Sequence, residues 1–368
     1  MQIVGFAQER GACTTLRIKQ PLERIAELQL AKAHIIAAAD ANTESLVRDS
    51  DVVFLGRAAS DHVLDVIKRV QMFGKKVVFD LDDNMFDVSV FSPHYKDLGA
   101  MNVDFDDPSG SKIDVWRDGA GGFDVRRNRG LRKSFIRLVR QADCVTVTTE
   151  PLRKVYSRFN ANVKIVPNAI NFRVWDKQNI GWLGDEVRIL YTGAANHFED
   201  WLFVYPGLEE IQKKYKNVTI VLIGTDWRQA TTTLDYSRIE VHRWVDFEAY
   251  PHLMKSLCCH IGLAPIRPSD FNDCRSELKW VEYSALKMAT VATNWGPYKR
   301  SMKDKVTGLL AENDKDEWVK ALSELIENKE YRETLGNNAY QDCKKNFNLD
   351  YAVDQWMNVF SDVLGIKS

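Results

Sequence analysis

The sequence predicts an α/β chain built as two doubly wound domains in series. Three observations predict it. At roughly 150 residues per domain, a chain of 368 residues has room for two. Short apolar runs rich in Val and Ile alternate with amphipathic stretches, the pattern of parallel strands covered by helices. The alternation occurs twice, on either side of DKQNIGWLGDE at 176–186, which reads as a linker.

In the first series, strands are expected at 2–7, 51–55, 76–80, 143–148 and 163–166. Helices are expected at 21–33 and 62–73, the first with Pro21 near its first turn. Residues 97–124, rich in Asp and Gly, break the rhythm and read as a long loop that is either functional or plain surface. In the second series, strands are expected at 187–192, 218–224, 239–242, 260–265 and 290–293. Helices follow at 202–214, 247–256, 276–288, 316–327 and 331–347, and 351–364 is amphipathic. This places an N-terminal domain at 1–178, a C-terminal domain at 187–348 and a terminal helix at 349–368.

Composition narrows the function. With 45% hydrophobic and 27% charged residues, disorder is excluded. Fifty basic against 51 acidic residues exclude a globally basic nucleic-acid coat. The charge is uneven: residues 1–184 carry 27 basic and 23 acidic side chains, residues 185–368 carry 23 and 28. The longest uncharged stretches, 256–266 and 288–298, fall short of the ~20 residues of a membrane span. The N-terminus lacks the apolar core of a signal peptide, and six cysteines show no CxxC. A reduced, cytoplasmic protein without zinc is expected.

Three clusters stand out as chemistry. VVFDLDD (77–83) runs an apolar strand into three carboxylates. These are either a DxD-type metal site, contacts to sugar hydroxyls, or a solvated strand end with a helix cap. RPSDFNDCRSELKWVE (267–282) reads as a loop entering a helix capped by Asp273 or Ser276. Arg267, Arg275 and Lys279 add positive charge there, with Arg275 and Lys279 one turn apart, an arrangement suited to phosphate. Glu282 is placed to accept bonds from ribose hydroxyls. DVRRNRGLRKSFIRLVRQAD (124–143) holds seven basic residues between its two end acids. Arg126, Arg129, Lys133, Arg137 and Arg140 line one helical face, either an anion-binding surface or an ordinary solvated one. No GxxxxGK[ST], GxGxxG or GxSxG occurs.

The ordered set of motifs resembles glycosyltransferase family 4. SELKWVEYSALKMATVATNWGPYKRSMKDKVTG (276–308) is similar to its C-terminal signature. Trp318, Leu325, Ile326, Arg332, Asn338 and Ala339 match its ending, and ADCVTVTTEPL and VKIVPNAI match upstream segments. The resemblance covers most of the chain. It implies a GT-B fold: two Rossmann-like domains around a central cleft, with the C-terminal helix crossing back to the N-terminal domain. It also implies retaining, metal-independent transfer from a nucleotide-sugar, which is a co-substrate rather than a cofactor.

Residue by residue, the family's second glutamate matches Glu282. The first falls on Cys274, with Asn272 or Asp273 as stand-ins. The family's Arg/Lys pair after the first strand of the C-terminal domain is missing from GAANHFEDW, so Arg275 and Lys279, with Arg267, take over its charge. Asp82 and Asp83 stand where a histidine often lies.

The expected site has Asp82, Asp83, Arg275 and Lys279 in catalysis. Gly193, Arg267, Asn272, Ser276 and Glu282 bind the donor. Arg17, Arg57, Arg129, Lys133 and Arg137 bind the acceptor, and no metal takes part. An anionic acceptor is expected, either modified DNA such as a hydroxymethylated base, or a glycan or lipid-linked intermediate at a membrane surface. The alternatives are a non-catalytic sugar-nucleotide-binding subunit, a metal-dependent DxD transferase and an epimerase.

Overall fold

The computed structural model describes residues 1–7, 11–36, 43–57, 61–106, 112–176, 184–231 and 233–366. Most of the expected linker lies outside them. Two compact units result: Met1–Asn168 with Ala352–Ser368, and Ala169–Tyr351.

The first unit carries β1 (Gln2–Phe6), β2 (Lys32–Ile36), β3 (Val52–Leu55), β4 (Lys76–Leu81), the pair β5 (Val103–Asp106) and β6 (Lys112–Trp116), then β7 (Cys144–Val147) and β8 (Val163–Ile165). Six strands form one parallel sheet in the order β2-β1-β3-β4-β7-β8. β3 and β7 are wholly buried, as apolar runs covered on both faces must be. The helix Leu349–Leu364 supplies Trp356 and Phe360 to this unit's core, with ring centroids 4.8 and 5.5 Å from Phe54 of β3. Such aromatic pairs add about 0.5–1.5 kcal/mol each beyond their burial.

Two expectations change here. The helix expected over 21–33 ends at Glu27, and Gln29 turns the chain with φ +57°. Leu28 and Leu30 prolong the apolar spacing but are exposed, and the chain continues into edge strand β2, of which only Ile36 is buried. The expected loop at 97–124 contains the antiparallel pair β5/β6, although 107–111 lie outside the described residues. Tyr95, Trp116 and Phe123 pack at its base, with centroids 5.5–5.9 Å apart.

The second unit carries β9 (Val187–Gly193), β10 (Val218–Gly224), β11 (Ile239–His242), β12 (Ile261–Ala264), β13 (Ala289–Thr293) and β14 (Leu309–Ala311). They form a parallel sheet in the order β11-β10-β9-β12-β13-β14. Its core includes Trp201, Trp227 and Trp318; the first two stack at 5.9 Å and 19°. Gly224 ends β10 with φ +105°, and an added Cβ would lie 2.6 Å from the Gly193 carbonyl, so no larger residue fits.

In the first sheet the strand order reverses between β1 and β3; in the second it reverses between β9 and β12. Ligands of doubly wound sheets bind outside the strand carboxyl ends at such switch points. Each unit therefore has one predicted binding edge.

Candidate functional site

At the β9/β12 edge of the second unit, β9 ends at Gly193, a short turn Ala195–His197 follows, and the helix Phe198–Lys214 begins. Glu199 and Asp200 in its first turn complement the helix dipole. β12 leads into the loop at 265–269, a turn Asp270–Asp273 capped by Ser269, and the helix Leu278–Ala285. Neither Asp273 nor Ser276 caps that helix, because its N-cap position is Glu277, which makes no side-chain cap bond. Asp273 instead pairs with Arg300. Arg275 precedes the helix rather than lying one turn along it.

The cations still converge. Arg275 Nη1 lies 3.1 Å from His197 Nδ1, and Lys279 Nζ lies 3.1 Å from His197 Nε2. Asp200 Oδ2 lies 2.7 Å from Nδ1 and 3.6 Å from Arg275. Its other oxygen accepts the Arg267 backbone N–H at 2.8 Å. The Arg267 guanidinium pairs with Glu199.

Burial, then Lys279 and Arg275, push the His197 pKa down to about 3, so its ring is neutral. Burial, then Arg275, bring Lys279 down to about 8. Burial acts to raise Asp200, but the His197 hydrogen bond and the nearby cations hold it below its ordinary value. Glu282 is buried, accepts from the Tyr250 hydroxyl at 3.4 Å, and is raised to about 8 by that burial. Titratable groups displaced in both directions at one strand edge are the electrostatic mark of a functional site.

The remaining expected donor residues lie around this cluster. The Gly193 Cα hydrogen faces the His197 ring, which leaves little room for a side chain: an added Cβ would sit 3.3 Å from His197 Cβ. The Asn272 amide donates to the Arg267 carbonyl at 2.8 Å and braces the loop. Ser276 is half-buried between Arg275 and the helix. Cys274, at the position of the absent glutamate, is buried.

In the first unit, the VVFDLDD carboxylates separate. Asp80 is buried and takes both Arg17 Nε (3.0 Å) and Nη2 (2.7 Å), plus the Thr146 hydroxyl at 2.7 Å. Arg17 also donates to the Val166 carbonyl and lies over the Trp356 ring. Expected as an acceptor contact, Arg17 is 3% exposed and its guanidinium is committed to this internal pair.

Asp82 and Asp83 sit at the β1/β3 edge, where Arg57 Nη1 reaches Asp83 at 3.2 Å. Asp82 borders a cavity of about 190 Å³ lined also by Phe6, Cys13, Arg17, Gly56 and Arg57, among others. Burial, then Asp83, raise Asp82 to about 6. The Cys13 thiol bonds to Asp82, whose charge is the main cause holding it protonated. Arg129, Lys133 and Arg137 are exposed on the helix Val125–Gln141, as are Arg126 and Arg140. Among the described residues, no group of three or more His, Cys, Asp or Glu has a metal-binding arrangement.

Sequence reasoning missed His197, Asp200 and Tyr250. GAANHFEDW was read for the Arg and Lys it lacks, whereas its His and Asp carry the organisation. The one available signal was the His-x-x-Asp spacing at a strand-to-helix turn.

Residues 186–328 match the family model described as Glycosyl transferases group 1. That match lies within the second unit and covers less than half of the chain. Among solved structures, HepE (Alr3699) of Anabaena in complex with UDP-glucose has a TM-score of 0.65 at 12% identity, covering 98% of this chain and 100% of its own. Sucrose-phosphate synthase from Thermosynechococcus elongatus has a TM-score of 0.65 at 12% identity, covering 99% of each chain. A putative UDP-N-acetylglucosamine 2-epimerase from Listeria monocytogenes has a TM-score of 0.57 at 11% identity, covering 100% of this chain and 97% of its own. No curated protein matches the sequence. The fold is GT-B, as the resemblance implies, and with the group 1 domain on it the chain is a glycosyltransferase. No described helix is long and apolar enough to cross a membrane.

Proposed function

We propose that the chain transfers a sugar from a nucleoside diphosphate sugar to an anionic acceptor, with retention and without a metal. The observation that carries this reading is the convergence of Arg275 and Lys279 on one point at the β9/β12 edge, with Glu282 three residues beyond Lys279. Two cations in a buried setting suit a diphosphate, and a carboxyl that accepts from a hydroxyl suits a ribose. UDP-glucose in HepE, on the same fold, supports a uridine nucleotide as the first donor to try.

The leaving diphosphate gains negative charge as the C1–O bond to phosphate breaks. Arg275 and Lys279 offset that charge without rearranging, which is electrostatic preorganisation. The acceptor hydroxyl attacks C1 from the same face. Its proton passes to the departing phosphate oxygen, so no protein base is needed. Asp82 and Asp83, steadied by Arg57, orient sugar or acceptor hydroxyls.

The exposed cations of Val125–Gln141 support an anionic acceptor, either modified DNA or a membrane-surface glycan intermediate. A binding-only subunit is the rival reading, since Cys274 replaces a glutamate. The test is a transfer assay with a panel of nucleotide-sugars in excess EDTA, with product configuration read by NMR. Transfer with retention is expected, and its loss in Lys279→Ala excludes the binding-only reading. Activity that needs an added divalent cation contradicts the proposal. Binding to duplex DNA that stays absent at low salt removes the DNA acceptor.

A further inference from the structure

The transfer chemistry uses Arg275, Lys279 and Glu282, yet the most completely bonded carboxylate of the edge is Asp200. It is 2% exposed. It receives the Arg267 backbone N–H at 2.8 Å and His197 Nδ1 at 2.7 Å, with Arg275 at 3.6 Å. A carboxylate at 2.7 Å from Nδ1 requires the proton on Nδ1. The 3.1 Å approach of Arg275 to that same nitrogen is then not a hydrogen bond; Arg275 is drawn by the Asp200 carboxylate, 3.6 Å away.

Lys279 is informative in the same way. Its Nζ lies 3.1 Å from Nε2 and 3.4 Å from Nδ1. A donor on the in-plane lone pair of Nε2 would be much farther from Nδ1. The ammonium therefore rests against the ring, off the lone-pair axis, and the ring must be neutral to tolerate it. His197 is thus a flat, uncharged spacer, fixed by Asp200, against which two cations are parked side by side.

We propose that His197, locked by Asp200, is the positioning residue of the phosphate site: it holds Lys279 and Arg275 together as a two-pronged clamp for a diphosphate. This rests on the donor-site reading above. Without the ring, Arg275 collapses onto Asp200 and the Lys279 ammonium swings into water. The clamp also sets a pH dependence. Lys279 faces Arg275, His197, Asp200 and, on its own helix, Glu282. The buried hydroxyls of Tyr191, Tyr283 and Tyr298 around the cluster stay protonated through the range. With its pKa lowered to about 8, Lys279 loses its charge as pH rises through 8, and anion binding weakens with it. Exposure in a ring-less variant moves that loss toward the ordinary lysine value of ~10.4.

The test is calorimetric titration of inorganic pyrophosphate and, separately, UDP against pH, for the wild type, His197→Ala and His197→Asn. Pyrophosphate has no ribose, so no ribose contact to Glu282 enters its profile, and repeating the series in a Glu282→Gln background removes the charge that Glu282 itself gains near pH 8. In His197→Ala the affinity for both probes should fall at least about tenfold, the scale of a lost orientation. Its alkaline limb should move up by a unit or more relative to the wild type, a change that mere loss of packing does not produce. His197→Asn, which still donates to Asp200, should fold like the wild type and recover part of the affinity. Wild-type binding of pyrophosphate but not UDP, with these variant effects, upholds the clamp and defeats the nucleotide reading. Equal affinities and an unmoved limb in His197→Ala overturn the clamp, as does a wild type that binds neither probe.

Discussion

At the scale of single residues, the β9/β12 edge holds buried ionisable groups at a cost in stability. Glu282 is held at about 8, well above an ordinary carboxyl. A carboxyl raised in the fold contributes stability at low pH that is lost as pH climbs from the unfolded value of ~4.3 through 8. Glu282→Gln should therefore leave the unliganded protein more stable than the wild type above pH 8, by about 1–2 kcal/mol. The gap should close below pH 5 while UDP affinity is lost at every pH; thermal melts across pH read both.

Arg17 behaves in the opposite way. Removing it strands Asp80 in the core, so Arg17→Met should destabilise the first unit by about 3–5 kcal/mol in urea denaturation. Adding Asp80→Asn should recover part of that loss. An unchanged Arg17→Met midpoint would mean that the buried pair contributes nothing.

At the scale of elements, the strands were the most legible part of the sequence. β3 is a continuous apolar run, and β7 and β9 are apolar apart from Thr146 in the one and Arg188 and Thr192 in the other; all three are buried along their whole length, as central parallel strands are. Edge strand β2 was hidden because four of its five residues lack full burial, so neither an apolar run nor alternation marks it. Pair β5/β6 was hidden by the Asp and Gly around it. The cations Arg275 and Lys279 were legible as a local cluster. Their partners on the turn after β9 were not, because a contact across 78 residues leaves no mark in a local pattern.

Two element-level outcomes follow from packing and from charge. In the helix Lys329–Asn346, a Cβ added at Gly336 would lie 2.2 Å from the Lys287 carbonyl oxygen. Gly336→Ala should cost about 1–3 kcal/mol by forcing these elements apart, as denaturant midpoints will show. Reversing Arg129, Lys133 and Arg137 to Glu should leave stability within about 0.5 kcal/mol, since all three are exposed. It should weaken binding of an anionic acceptor and lower the salt slope of that binding by about one unit for each phosphate no longer neutralised.

At the scale of the whole molecule, the near-zero net charge is a cancellation between a slightly basic first half and a slightly acidic second half. The cationic face and the carboxylate pair Asp82–Asp83 belong to one unit, the phosphate clamp to the other. The claim on which the functional reading depends is that the second unit holds a nucleoside diphosphate through Arg275 and Lys279 without a metal. Calorimetric titration of UDP in excess EDTA, comparing the wild type with the Arg275→Ala/Lys279→Met double variant, tests it most directly. The expected result is saturable wild-type binding that the double variant loses by more than about a hundredfold, equivalent to ~2.7 kcal/mol, with no drop in melting temperature. Equal affinities in the two proteins, or wild-type binding that returns only when a divalent cation is restored, would contradict it.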